Sequence, residues 1–152
     1  MLARRPARQK RVTSVLRPGG VPGRAVASLP VVPALRALRG ATTLDEDAAD
    51  HMMERVLALL EAMLEANGVD HDDLVSIVFT ATDDLHAAFP ALAARKLGLG
   101  DVPLLCAREL DVVDGTPRCI RVLMHLTTER TRSELRHVYL EGAKGLRDDL
   151  PG

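Results

Sequence analysis

The stretch Cys119-Ile120-Arg121-Val122-Leu123-Met124-His125-Leu126-Thr127, CIRVLMHLT, decides the fold by its alternation. Successive side chains of a strand point to opposite faces. Ile120, Val122, Met124 and Leu126 then make one unbroken apolar face, and Arg121, Leu123 and His125 make the other. A strand with a wholly apolar face belongs to a sheet packed against helices on that side. Its second face also needs a cover or an anionic partner, because a buried arginine keeps its charge.

Upstream, VPLLCARELDV (102–112) is separated from CIRVLMHLT by the turn signal Asp114-Gly115, which predicts a hairpin of the two. LVSIVFTA (74–81) is a nearly continuous apolar run rich in β-branched residues, the pattern of a central strand covered on both faces. ALRALRGAT (34–42) predicts a short strand, with Arg39 at its end and Gly40 turning the chain away. Thr43 and Glu46 match a capping box opening a helix, along which Ala49, Met53, Val56, Leu60, Met63 and Leu64 recur at helical spacing. Asn67-Gly68 stops it.

A short helix is predicted at FPALAARKLG, with Pro90 at its first position and Gly98 after its end. LRHVYL is the last strand, leading through Glu141-Gly142 into a C-terminal segment that contains Arg147. The order β-α-β-α-β-β-β predicts an α+β domain: one mixed, mostly antiparallel sheet with its helices on one face. Two substantial helices do not cover two faces, so the second is expected to be covered by oligomerisation.

At 152 residues and 47% hydrophobic, the chain is the size of one domain. Aromatic residues are confined to Phe79, Phe89 and Tyr139, which leaves little surface for stacking nucleic-acid bases. Residues 1–32 carry seven basic residues and no acid, with prolines and glycines interspersed, and read as a disordered basic extension. Residues 33–152, with 13 of the 20 basic residues against all 21 acidic ones, net −8, form the predicted domain. Cys106 and Cys119 show neither zinc-ligand spacing nor a disulfide framework, which fits a reduced, cytoplasmic setting without a metal. No apolar run approaches the roughly 20 residues of a membrane span.

The sequence holds no GxSxG, HExxH, P-loop or GxGxxG motif. What it does hold is arginines embedded in apolar surroundings: Arg39, Arg121 and Arg147. Arg121 reads either as an anion ligand or as one half of an inter-strand ion pair with Glu109 across the hairpin, and Arg39 as an anion ligand or a solvated strand end. Cys106 reads as a small core hydrophobe, and Tyr139 as a core residue with a satisfied hydroxyl. These observations reach an oligomeric α+β domain with a site for an organic anion.

Five segments carry more. LRALRGATTLDEDA, FTATDDLHAAFPALAARKLG, VPLLCARELDV, PRCIRVLMH and RHVYLEGAKGLRDDL, in this order from about Leu35 to Leu150, closely resemble the trimeric α+β class of chorismate mutase, the bacterial class distinct from the all-helical one. The resemblance implies a homotrimer with a pseudo-α/β-barrel core, active sites between subunits, and rearrangement of chorismate to prephenate in phenylalanine and tyrosine biosynthesis, with no metal, cofactor, nucleic-acid or membrane partner. It implies catalytic roles for Arg121, Glu109 and Arg39 and a carboxylate contact for Tyr139. It adds Phe89, Ala91, Arg95, Leu105 and Cys106 as cleft walls, and Leu146 and Arg147 as a closing C-terminal segment. Leu92 stands where the family pattern has a lysine and Leu105 where it has a threonine, which is expected to weaken or alter substrate binding at most. No regulatory domain accompanies these segments, so little feedback by phenylalanine or tyrosine is expected. The alternatives are an imine-hydrolysing trimer or a small-anion-binding protein of similar fold, neither of which accounts for RGATT, CARELD and HVYLEGA together.

Overall fold

In the structure, a computed structural model describing residues 30–147, the alternation of CIRVLMHLT is realised as a ten-residue strand at the centre of the sheet. The elements are β1 (Ala34–Thr43), α1 (Ala49–Asn67), β2 (Leu74–Ala81), α2 (Ala91–Lys96), β3 (Leu104–Arg108), β4 (Cys119–Thr128) and β5 (Val138–Tyr139). A 3-10 segment, Glu141–Arg147, follows β5. The five strands form one mixed sheet in the order β3-β2-β4-β1-β5. The long ladders, β1 with β4 and β2 with β4, are antiparallel, while β2 with β3 and β1 with β5 are parallel. The basic extension predicted at 1–32 falls almost entirely outside the described residues.

The predicted hairpin is not formed. The turn is present, with the Gly115 amide donating to the Val112 carbonyl at 2.9 Å and Asp114 in the left-handed region. Yet β2 lies between the two strands that the turn connects. β3 pairs only with β2, and in parallel, so that Ile77 and Phe79 align with Leu104 and Cys106.

One face of the sheet is packed. Leu38, Ile77, Phe79, Ile120, Met124 and Leu126 are fully buried against Met52, Val56, Leu59, Leu60 and Met63 of α1, with Ala91, Ala93 and Ala94 of α2 joining the same core. Each large side chain buried there contributes on the order of 1.5–3 kcal/mol. α1 ends as the sequence predicts: Gly68 adopts φ 56° and its amide returns to the last turn. Asn67, also buried, fixes that end, donating to the carbonyls of Met63 (2.9 Å) and Arg136 (2.8 Å) and accepting from the Arg136 amide (2.8 Å).

The start of α1 differs from the expectation. The helix begins at Ala49 after Ala48, without a side-chain cap. Thr43 closes β1 instead, and its hydroxyl accepts the Gly142 amide at 2.9 Å. Asp47, close enough to have capped the helix, accepts the amides of His86 and Ala87 at 3.0 Å. The Ala87 amide is the largest influence holding its carboxyl below the usual range, with His86 adding to it against a smaller effect of burial.

Arg39 and Gly40 are also corrected: both lie inside β1, which runs on to Thr43. Gly40 does not turn the chain. It faces α1, and a Cβ there would come within 2.3 Å of Met63 Sδ and 3.2 Å of Leu59 Cδ1. The missing side chain lets the helix approach the sheet. Gly40→Val is therefore expected to destabilise the fold by about 1–3 kcal/mol through overpacking, read as a lower urea midpoint.

Among the described residues, the second face of the sheet is left largely uncovered in the single chain. LVSIVFTA is internal to the sheet but not covered on both faces, because its second face looks onto this open side. Leu35 (60%), Leu105 (60%), Val75 (43%) and Leu123 (37%) are exposed. Among the described residues, the cover lies at one end of this face, where Ala143 of the C-terminal segment packs on Ala41 and Cys119, with Tyr139 and Leu146 beside them. Burial pushes the Cys119 thiol up, against the smaller opposing effect of Arg121.

Candidate active site

Arg121 lies on the open face at this covered end. In the β4 ladders it stands opposite Ala41 on one side and Thr80 on the other. Its Nη1 lies 2.8 Å from Oε2 of Glu109, with both side chains largely shielded (29% and 20% exposed). Glu109 reaches Arg121 across β2 and not across a hairpin: it follows directly on β3, and its amide continues the β3 ladder by donating to the Ala81 carbonyl at 2.9 Å. Thr80, two residues along the same face from Val78, donates its hydroxyl to the other carboxylate oxygen of Glu109.

Arg39 is on the same face of β1 as Ala41, one diagonal step from Arg121. Diagonal neighbours have Cα atoms about 7–8 Å apart, so both guanidinium groups can reach one small ligand. Arg39 is exposed, and its amide donates to His137 Nδ1 at 3.0 Å. Tyr139 is placed beside Ala41 by the β1–β5 pairing. Its hydroxyl is buried without a hydrogen-bond partner among the described residues, a costly state for a donor.

Glu109 and Arg121 line a cleft of about 590 Å³ together with Thr82, Asp84, Leu110 and Pro117. Burial pushes the Asp84 carboxyl up, but hydrogen bonds from the Thr82 hydroxyl and the Arg118 amide hold it below the ordinary range. The Thr82 hydroxyl also accepts the Cys119 amide at 2.9 Å. These bonds tie the end of β2 to the start of β4, two residues before Arg121.

Phe89, Ala91, Arg95 and Cys106 lie together around a different cleft of about 360 Å³, with Leu92 and Leu104. Phe89 is 71% exposed on the loop that enters α2. Leu105 does not join Cys106 there: neighbours on β3 face opposite sides, so Cys106 packs on the core while Leu105 lies on the open face. Leu146 packs beside Ala41 and Cys119, and Arg147 closes the 3-10 segment. In one chain, then, the predicted residues form two groups. Among the described residues no cluster of His, Cys, Asp or Glu could hold a metal, and no helix is long and apolar enough to cross a membrane.

Thr80, Thr82 and Asp84 were not singled out from the sequence. Thr80 had a signal: a hydroxyl at the second-last position of LVSIVFTA, on the face that alternation assigns away from Phe79. The Thr82–Asp84 link had none, since it depends on where β4 begins in space.

The model of the family described as chorismate mutase type I matches residues 35–150. The chain belongs to the chorismate mutase type I family. The match runs from the second residue of β1 through the C-terminal segment and leaves out the whole of the basic stretch 1–32. Chorismate mutase AroH of Bacillus subtilis (strain 168) is 43% identical over 117 residues, 76% of this chain and 92% of that protein. Chorismate mutase AroH of Thermus thermophilus is 46% identical over 117 residues, 76% of this chain and 96% of its own length. A chorismate mutase structure from Clostridium thermocellum superposes with a TM-score of 0.71 at 47% identity, covering 72% of this chain and 97% of that one. The chorismate mutase family thus accounts for the five-stranded mixed sheet and for each of the segments that carry Arg39, Glu109, Arg121 and Tyr139.

Proposed function

We propose that the protein is a chorismate mutase that rearranges chorismate to prephenate, acting through Arg121, Glu109 and Arg39. One observation supports this reading above the others: two arginines share one sheet face against a single carboxylate. That arrangement leaves positive charge available to an organic anion.

The chemistry asks for little else. Chorismate is a dicarboxylate whose enolpyruvyl side chain must fold over the ring before its ether C–O bond breaks and the new C–C bond forms, so holding the folded geometry is a large part of catalysis. As the C–O bond lengthens, negative charge grows on the ether oxygen, and a fixed cation in a water-poor cleft stabilises it. Arg121 has that role, with its planar fork fixing two donors at once. Glu109 accepts the ring hydroxyl's hydrogen bond and lies near the allyl fragment, where partial positive charge develops. Arg39 holds one carboxylate, and the unpartnered Tyr139 hydroxyl donates to the side-chain carboxylate.

The second group completes the site from a neighbouring subunit. Phe89, Ala91, Arg95 and Cys106 wall the substrate from there, Leu105 lines it from the open sheet face, and Leu146 and Arg147 close over it. A homotrimer brings the groups together, with the sheets forming a barrel-like core that covers Leu35, Val75, Leu105 and Leu123, which are exposed in the single chain. Leu92, exposed in the cleft with Phe89, leaves the rim one charge short of the family pattern. No observation favours the imine-hydrolysing or anion-binding alternatives.

The test is loss of chorismate absorbance with purified protein and no added metal, beside light scattering of the same sample. Turnover by a species of three times the chain mass is the expected result. A folded protein that leaves chorismate untouched overturns the reading.

A further inference from the structure

We infer that Thr80 is a positioning residue for Glu109, holding the carboxylate in place independently of Arg121; this rests on the mutase reading. The last torsion of a glutamate side chain is broad and weakly restrained, so a single contact does not fix the plane of its carboxylate. Here there are two contacts, one on each oxygen: Arg121 Nη1 on Oε2 at 2.8 Å and the Thr80 hydroxyl on Oε1. The glutamate main chain is fixed as well, through its amide bond to Ala81.

The placement of Thr80 follows from register. It stands directly opposite Arg121 in the β2–β4 ladder and shares its face. Hydroxyl, guanidinium and carboxylate therefore converge from two adjacent strands and from the residue just beyond a third. An arginine that turns towards a substrate anion changes its geometry on Glu109. The threonine contact comes from a strand that the substrate does not engage, and it keeps one oxygen in place while the other is shared between Arg121 and the ligand. A hydroxyl is required for this, and the methyl group of the same side chain is not.

That distinction sets the experiment. Thr80→Val and Thr80→Ser are made in the wild-type and in the Glu109→Gln background, with kcat/KM for chorismate measured and thermal melting as the check on folding. Valine keeps the shape and loses the hydroxyl, and is expected to lower kcat/KM about tenfold or more, the scale of one lost hydrogen bond to a charged group. Serine keeps the hydroxyl and is expected to stay close to wild type. In the Glu109→Gln background the valine substitution is expected to add little. A packing role gives the reverse order, with valine harmless and serine damaging. The inference is overturned if the valine variant matches wild type, or if it costs as much in the Glu109→Gln background. A wild-type protein that does not consume chorismate overturns the mutase reading itself, a result distinct from an active wild type with an equally active valine variant.

Discussion

Arg121→Ala is expected to lower kcat for chorismate at least about a hundredfold, the scale on which removal of one preorganised charge-stabilising donor acts, while the protein stays folded. The loss should fall on kcat more than on KM, because the charge on the ether oxygen is developed only in the transition state. Folding is spared because Arg121 projects from the open face and not into the core, and because Glu109 retains its bond to Thr80 when the guanidinium is gone. Arg121→Lys is expected to recover only part of the rate, since an ammonium is a point charge without the fork that addresses Glu109 and the substrate together. Steady-state consumption of chorismate beside circular dichroism checks both statements. An alanine variant with near wild-type kcat would remove Arg121 from the chemistry.

The largest expected effect on stability is at Asn67. Its side chain makes three hydrogen bonds in a buried setting, one to the last turn of α1 through Met63 and two to the main chain of Arg136. Asn67→Ala removes all three and strands an amide and two carbonyls away from water. Each unsatisfied buried group costs about 1–3 kcal/mol, and partial access of water at the cavity reduces the sum, so a loss on the order of 3 kcal/mol is expected. The measurement is the urea midpoint. Activity should suffer as well, because Arg136 lies two residues before β5, a strand of only two residues that carries Tyr139. An elevated KM in the folded fraction would register that displacement.

What the sequence made legible followed from local periodicity. CIRVLMHLT separates its faces because the period of a strand is two residues, and the structure buries Ile120, Val122, Met124 and Leu126 while leaving Arg121, Leu123 and His125 on the other side. Asn67-Gly68 ends α1 because glycine reaches the left-handed region without strain. The misreadings all concern partners distant in the chain. Asp114-Gly115 is a turn, but a turn signal does not say that the flanking strands pair, and β2 takes the place between them. The Thr43 hydroxyl suits a helix cap equally well, yet it is engaged by Gly142, 99 residues away. Gly40 reads as a turn because the side chain that excludes any other residue there, Met63, comes from α1. The Arg121–Glu109 pair was legible as a pair, and its route across β2 was not.

The packing of Ala143 over Cys119 makes this thiol a gauge of the C-terminal segment. Cys119 is fully buried beneath Ala143 and beside Leu146, and burial keeps it in the poorly nucleophilic thiol form. An alkylating reagent is expected to reach it when residues 141–147 lift from the sheet, with its labelling read apart from that of the half-buried Cys106 by peptide mass. Its labelling rate therefore times that lifting, and a substrate analogue that holds the segment down should slow the labelling without touching the sulfur.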